Sequence, residues 1–311
     1  MYPKILDLGP ITIHTYGLLL AAAFIAGIWM TSRNAKKAGI NPDLAWNLGL
    51  IVIFSALVGA KILLLLSDFE YYSQNFREIF SLSTLRAAGV YYGGLLLALA
   101  AAAWFLVKKR LPAWQVADLA APGIALGQAI GRLGCLSAGC CYGKPTHMPW
   151  GITFTNEYAY NNVGVTLNTP LHPTQIYESL AVFALFLFLM WRLSRKHMTG
   201  QIILEDLTLY AILRFVIEFF RNDERGFVLH GLLSTSQFIA ILTILGSAAV
   251  CYPVFWERRG ASCLNVIFNS TSPALVRLCI SNPPFSKTWS MGRLSIRTSA
   301  VKPSKPSRLA R

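Results

Sequence analysis

Charge is scarce in this chain. Only 14% of its 311 residues are Asp, Glu, Lys or Arg, against 54% hydrophobic residues and a mean hydropathy of +0.49. An ordinary soluble domain carries about a quarter charged residues, so that class is excluded. Acidic residues are lacking altogether after Glu257, where ten Lys/Arg occur. The formal charge of +14 therefore belongs to the tail, because up to Glu257 the chain holds 18 basic and 14 acidic residues, about +4. That distribution does not give a basic folded surface for nucleic acid. C-x₂-C pairs are absent too, and of six cysteines three, Cys251, Cys263 and Cys279, fall in the last apolar segment and the tail. Neither a usual zinc-ligand spacing nor a secreted disulfide framework fits, and no metal or other cofactor is expected. No repeat at solenoid spacing is visible. No cleavage site follows Lys4 and the first apolar run, which is therefore read as a retained helix and not a signal peptide.

What is present is hydrocarbon. Seven apolar segments run approximately Tyr16 to Thr31, Trp46 to Leu66, Val90 to Val107, Gln115 to Ile130, Gln175 to Trp191, Ile202 to Phe220 and Leu233 to Trp256. Each is near the roughly 20 residues needed to cross a hydrocarbon core of about 30 Å. Basic clusters follow every second one: Arg33, Lys36 and Lys37; Lys108, Lys109 and Arg110; Arg192, Arg195 and Lys196; Arg258 and Arg259. The positive-inside rule then predicts an all-α polytopic membrane protein of seven transmembrane helices, with the N-terminus outside and the C-terminus cytoplasmic. Residues 1–257 form the transmembrane domain. The long connection between helices four and five, residues 132–172, is expected to be a small periplasmic head or lid, with a strand signal at Trp150 to Phe154. Residues 258–311 read as a basic, disordered cytoplasmic tail that meets anionic lipid.

The chain is organised around Gly127 to Gly143, GQAIGRLGCLSAGCCYG. Gly123, Gly127 and Gly131 recur every four residues, a small-residue stripe for tight helix contact. Arg132 follows at the membrane edge, where a forked guanidinium suits a lipid phosphate. Cys135, Cys140 and Cys141 invite a metal, a redox pair or simple packing; the vicinal pair argues against one ion, and packing is the preferred expectation. His14 and Tyr16 stand where the first helix enters the membrane, as site residues or as an aromatic belt. Lys61 is an intramembrane cation close enough to the helix end to snorkel. Gly93 and Gly94, after Tyr92, expose helix N-terminal amides to an anion or pack against a neighbour. His172 opens the run HPTQIYE, with Gln175, Tyr177 and Glu178, and is either a proton-transfer group or an ordinary loop histidine. In YAILRFVIEFFRNDER, Arg214, Glu218, Arg221 and Arg225 fall on one helix face, as a phosphate-handling group or a structural ion pair.

In order, HTYG, the GGL after Tyr92, GRLG with its downstream YG, HPTQIYE, RFVIEFFR and STSQF resemble the prolipoprotein diacylglyceryl transferase family of bacterial inner membranes, over about Leu8 to Glu257. The resemblance implies a multi-pass enzyme of that membrane that moves the diacylglyceryl group of phosphatidylglycerol onto the lipobox cysteine thiol of a prolipoprotein, with a thioether as product and glycerol 1-phosphate released. Its partners would be phosphatidylglycerol, the prolipoprotein signal peptide and the bilayer, and not nucleic acid. It also implies roles: Arg132 and Arg214 bind the phosphate, Glu218 orients Arg214, and Tyr92 and His172 are candidates for moving protons. Tyr16, His14, Lys61, Gly93, Gly94 and Gly143 would line the lipid site; Gln175, Tyr177, Glu178, Arg221 and Gln237 would support the cavity. The chain departs from the family pattern where Tyr92 replaces a frequent His, where Cys135 and Cys140 replace Asn and Glu, and where Lys61 replaces a common Arg, so the group that takes the thiol proton stays open. Two other readings remain: a lipid-binding or transport protein of the same fold, and a membrane thiol oxidoreductase using the three clustered cysteines.

Overall fold

The computed structural model describes residues 4–7, 12–81, 84, 89–222, 226–228, 233–260, 264–268, 274–280 and 294–299. Arg225 lies outside the described residues. A short antiparallel pair, β1 (Lys4–Asp7) and β2 (Thr12–His14), leads into α1 (Thr15–Lys37). There follow α2 (Pro42–Ser67), α3 (Phe69–Gln74), a 3₁₀ turn at Phe76–Phe80, α4 (Tyr91–Lys108) and α5 (Ala113–Ala138). The next connection holds β3 (Ile152–Thr153), α6 (Glu157–Val163) and β4 (Pro170–Leu171), and then come α7 (Thr174–Leu193) and α8 (Gln201–Glu218). A pair β5 (Phe227–Val228) and β6 (Leu233–Ser234) precedes α9 (Thr235–Gly260). The chain forms two compact units, residues 1–247 and 248–311. In the second, whose residues from 258 on read as disordered in the sequence, β7 (Leu264–Phe268), β8 (Ala274–Ile280) and β9 (Leu294–Ser299) make an antiparallel sheet in the order β7-β8-β9.

All seven apolar segments are thus helical over most of their length, the last opening on the β6 strand and the sixth ending two residues past α8. Five of the helices, α1, α2, α4, α5 and α7, are long and apolar enough to cross a membrane. Their outward side chains fit that solvent: Phe54, Leu57 and Leu66 on α2, Leu96 and Leu99 on α4, and Leu180 and Leu187 on α7 are all exposed. An apolar belt of this kind is stable against lipid and not against water. The core lies around α5, where Ala121, Ala125 and Ala129 meet Met30 of α1, Val182, Leu185, Phe186 and Leu189 of α7 and Ile202 of α8.

Glycine sets two of the helix contacts. A Cβ at Gly27 of α1 would stand 2.9 Å from the Gly123 carbonyl oxygen of α5, and one at Gly127 would stand 3.1 Å from that of Ala23. Likewise a Cβ at Gly93 of α4 would run into the Gly59 carbonyl of α2, and one at Gly94 would stand 2.8 Å from that of Ala56. Without a driving force between apolar helices in lipid, backbone approach at small residues is what holds them together.

Buried polar groups then fix the ends. At one end Asn34 of α1 donates to the Leu119 carbonyl of α5 at 3.2 Å. There the Asp118 carboxylate of α5 accepts from the backbone amides of Gly200 and Ile203, capping α8 from another helix. Arg192 of α7 pairs with Glu205 of α8 at 2.8 Å at the same end. At the other end α5 stops in a Schellman turn: Gly139 has φ 78°, the Cys140 amide reaches the Cys135 carbonyl at 3.1 Å and the Gly139 amide that of Leu136 at 3.3 Å. Beyond it, Phe154, Ala159, Val165 and Leu171 bury one another in a small cluster beside the β3–β4 pair.

Gly93→Val is expected to destabilise the α2–α4 contact by about 1–3 kcal/mol through overpacking. Gly246→Ala, where an added Cβ meets nothing within 4 Å among the described residues, should instead be neutral or gain up to about 1 kcal/mol of helix propensity. Thermal unfolding in detergent, followed by helical circular dichroism, compares the two.

Candidate active site

The first turns of α7 present one polar face. Thr174, Gln175, Glu178 and Ser179 recur at helical spacing and all are buried. Three of them pin the end of α5: Thr174 Oγ1 donates to the Cys141 carbonyl at 2.7 Å, Gln175 Nε2 to that of Cys140 at 2.8 Å, and Ser179 Oγ to that of Ala129 at 2.8 Å. These bonds hold Cys141 in the left-handed region at φ 62°, a conformation that a non-glycine residue keeps only when its surroundings impose it.

Glu178 is the centre of the charge arrangement. Its side chain is 1% exposed, and Oε1 lies 2.7 Å from Arg132 Nη2 of α5. The Tyr210 hydroxyl of α8 donates to the same oxygen at 3.2 Å, and Oε2 faces Arg221 Nη1 at 3.8 Å. Arg132 turns its other nitrogen, Nη1, to Cys141 Sγ at 3.8 Å. On α8, Arg214 pairs with Glu218 at 2.7 Å and donates to Ser236 Oγ of α9 at 3.2 Å. Three guanidinium groups and two carboxylates therefore gather at the end of the bundle where α5 and α8 finish and α7 and α9 begin. The side chain of Arg132 keeps 20% of its surface exposed. An added Cβ at neighbouring Gly131 would meet nothing within 4 Å among the described residues.

The cysteines join this group. The sulfurs of Cys135, Cys140 and Cys141 lie within 4.8 Å of one another. Hydrogen bonds from the Cys135 and Cys140 thiols, helped by the Arg221 guanidinium, hold the Cys141 thiol below its usual range despite burial. Cys140, whose hydrogen bonds with Cys135 and Cys141 favour its protonated form, is pushed up. His172 belongs to an aromatic chain beside the group: its Nδ1 is 3.2 Å from the Tyr177 hydroxyl, which accepts from Trp150 Nε1 at 2.7 Å, and its ring packs edge-on to Phe220. Tyr16 of α1 contacts Gly134, a Cβ there standing 3.3 Å from its ring.

Other expected site residues have different settings. Lys61 Nζ donates to the Thr84 carbonyl, and Gly93 and Gly94 pack on α2. Tyr92 is half exposed, its ring 5.8 Å from that of Tyr91. Gly93 and Gly94 form the α2–α4 contact, and Lys61 and Tyr92 lie on the same two helices. At Gly143 a Cβ would press on the His172 and Phe220 carbonyl oxygens at 2.6 and 2.7 Å, so glycine there serves a close backbone crossing. Gln237 forms a capping box for α9: its Oε1 accepts from the Ser234 amide at 3.1 Å and its own amide donates to Ser234 Oγ at 3.2 Å. His14 stands at the N-cap of α1 without a side-chain cap bond.

Residues 3–252 match the model of a family described as prolipoprotein diacylglyceryl transferase. The chain belongs to that family. It is similar to phosphatidylglycerol–prolipoprotein diacylglyceryl transferases of Clostridium tetani, 35% identical over 79% of this chain and 94% of the relative, and of Clostridium perfringens, 36% identical over 75% and 88%. That of Trichormus variabilis is 34% identical over 80% and 89%. Within this diacylglyceryl transferase fold, sequence reasoning missed Tyr210 and Ser236. Tyr210 carried a signal, being four residues before Arg214 on the same helix face; Ser236 carried none beyond its place in STSQF.

Glu178→Gln is expected to cost about 3 kcal/mol, since it leaves buried guanidinium groups without their counter-charge. Glu205→Gln, which opens the more exposed Arg192 pair, should cost under about 1 kcal/mol. Unfolding midpoints measured in the same detergent separate the two.

Proposed function

We propose that this chain transfers the diacylglyceryl group of phosphatidylglycerol to the lipobox cysteine thiol of a prolipoprotein, forming a thioether and releasing glycerol 1-phosphate. Family membership over residues 3–252 and the names of its relatives support this activity. Within the fold, one observation carries it: Arg132 is a guanidinium at the end of a membrane-length helix, aligned by buried Glu178 and still partly open. A phosphate ester that leaves with a growing negative charge needs such a donor fixed in advance.

In the proposed reaction Arg132 binds the headgroup phosphate, and Arg214, oriented by Glu218, binds it from α8. Arg221 and Glu178 set the charge around them, while Gln175 and Tyr177 hold the turn and His172. Tyr16 lines the lipid side at Gly134. The lipobox thiol must react as thiolate, and His172, with its ring fixed by Tyr177, is a group that can take a proton at this end; Tyr92 is the alternative from α4. The apolar belt gives both substrates access along the bilayer.

The proposed topology adds α8 and α9 to the five membrane-length helices, seven spans in all, with the N-terminus outside and the basic helix ends cytoplasmic. The charge cluster then opens on the periplasmic side of the bacterial inner membrane, with residues 132–172 as head or lid. Residues 258–311, beyond the family match, carry basic charge suited to anionic lipid on the cytoplasmic side.

Purified protein, labelled phosphatidylglycerol and a lipobox peptide test this by mass of the thioether product. Arg132→Ala should lose at least about a hundred-fold in rate, and Arg132→Lys, which keeps charge without the fork, should fall between. Full activity in Arg132→Ala would overturn the phosphate assignment, and no product from the native chain would overturn the activity.

A further inference from the structure

Three thiols converge where the chain turns out of α5. Cys135 is on its last turn, Cys140 and Cys141 follow the Gly139 cap, and all three sulfurs lie within 4.8 Å of one another. They are half-buried and no disulfide joins them. The spacing in sequence argued against one ion taking both members of a vicinal pair. The fold meets that objection, because the backbone at Cys141 has φ 62° and both sulfurs of the pair end beside that of Cys135.

We propose that Cys135, Cys140 and Cys141 form a three-thiolate site for Zn²⁺, whose open fourth position receives the thiol to be alkylated, a role that rests on the transferase activity proposed above. Tetrahedral zinc with Zn–S bonds of about 2.3 Å sets its sulfurs about 3.8 Å apart, so the cluster needs only a small contraction. Three protein ligands with one position open is the arrangement of catalytic zinc, and thiolates select soft or borderline ions over Mg²⁺ or Ca²⁺. The charge balance fits as well. Three thiolates on Zn²⁺ carry one net negative charge and a fourth makes two, and the guanidinium of Arg132 lies 3.8 Å from Cys141 Sγ with that of Arg221 beside the same sulfur. Gln175 adds a buried acceptor: its Nε2 holds the Cys140 carbonyl, while its Oε1 has no hydrogen-bond partner among the described residues.

On loading, the three thiols give their protons to solvent and a water fills the fourth position. The lipobox thiol displaces that water and loses its proton to solvent, since a metal-bound thiol is deprotonated outright. Its sulfur then attacks the diacylglyceryl carbon that bears the phosphate ester. The C–S bond forms as the C–O bond breaks, and the electron pair leaves on the phosphate oxygen beside Arg132. The neutral thioether is a weak ligand and departs, and zinc does not change oxidation state.

The test uses the full chain in detergent. Metal analysis should find about one zinc per chain, and Co²⁺ loading should give a thiolate-to-cobalt charge-transfer band. Cys140→Ser should bind at least about ten-fold more weakly while keeping native helicity by circular dichroism. A lipobox peptide should shift the cobalt spectrum and its Cys→Ser version should not. Chelation should lower transfer at least about ten-fold, with zinc restoring it. No charge-transfer band, a band that the cysteine peptide leaves unmoved, or full transfer after chelation would each overturn the proposal. A cobalt spectrum that responds to the peptide without any thioether product would overturn the transferase activity and leave the metal site standing.

Discussion

A carboxylate taken out of water inside an apolar bundle costs several kcal/mol unless cations meet it, and Glu178 is such a carboxylate. Arg132 from α5, Arg221 from the segment after α8 and the Tyr210 hydroxyl from α8 all point at it. They come from two parts of the chain, α5 before Glu178 and the end of α8 after it, so one buried charge dictates that these ends converge. The dependence is mutual, because the guanidinium groups would be as costly without the carboxylate. The Arg214–Glu218 pair differs: it balances itself within one helix and meets α9 through Ser236.

The two ends of the bundle divide the work. At the end of Asn34, Asp118 and the Arg192–Glu205 pair, polar side chains close helix termini or tie neighbouring helices. At the other end, polar side chains hold an irregular turn, a strained cysteine and an excess of guanidinium over carboxylate. Between them α5 and α1 touch through glycine and alanine backbone. Rigid support below and concentrated charge above is how a site keeps donors fixed while charge develops on a substrate.

Much of this was legible in the sequence, and for physical reasons. Apolar runs of membrane length mark helices because lipid leaves the backbone no other partner, and each of the seven segments is helical over most of its length. The helices overrun those runs, α1 to Lys37 and α5 to Ala138, because apolar composition marks the hydrocarbon and not the end of the hydrogen-bond ladder. The pairing of Arg214 with Glu218 followed from their spacing of four. Glu178, by contrast, reads in the sequence only as one member of HPTQIYE; that it organises the cluster depends on contacts across three elements, which spacing does not encode. The same limit hid the convergence of the cysteines, which turns on one residue's φ. Lys61, Gly93, Gly94 and Gln237 join the site through the family resemblance, and each has a hydrogen-bonding or packing partner that sequence pattern leaves open.

Asp118 has a consequence in time. It is synthesised 82 residues before Gly200, the amide it caps. While the chain is being made, α5 therefore precedes the amides that its carboxylate caps. The N-cap residue of α8 gives no side-chain cap, and the amides of Gly200 and Ile203 find their acceptor in that carboxylate. A group that does no more than close a helix end in the finished protein thus acts during assembly as an address, admitting α8 to the one place where its first amides find an acceptor.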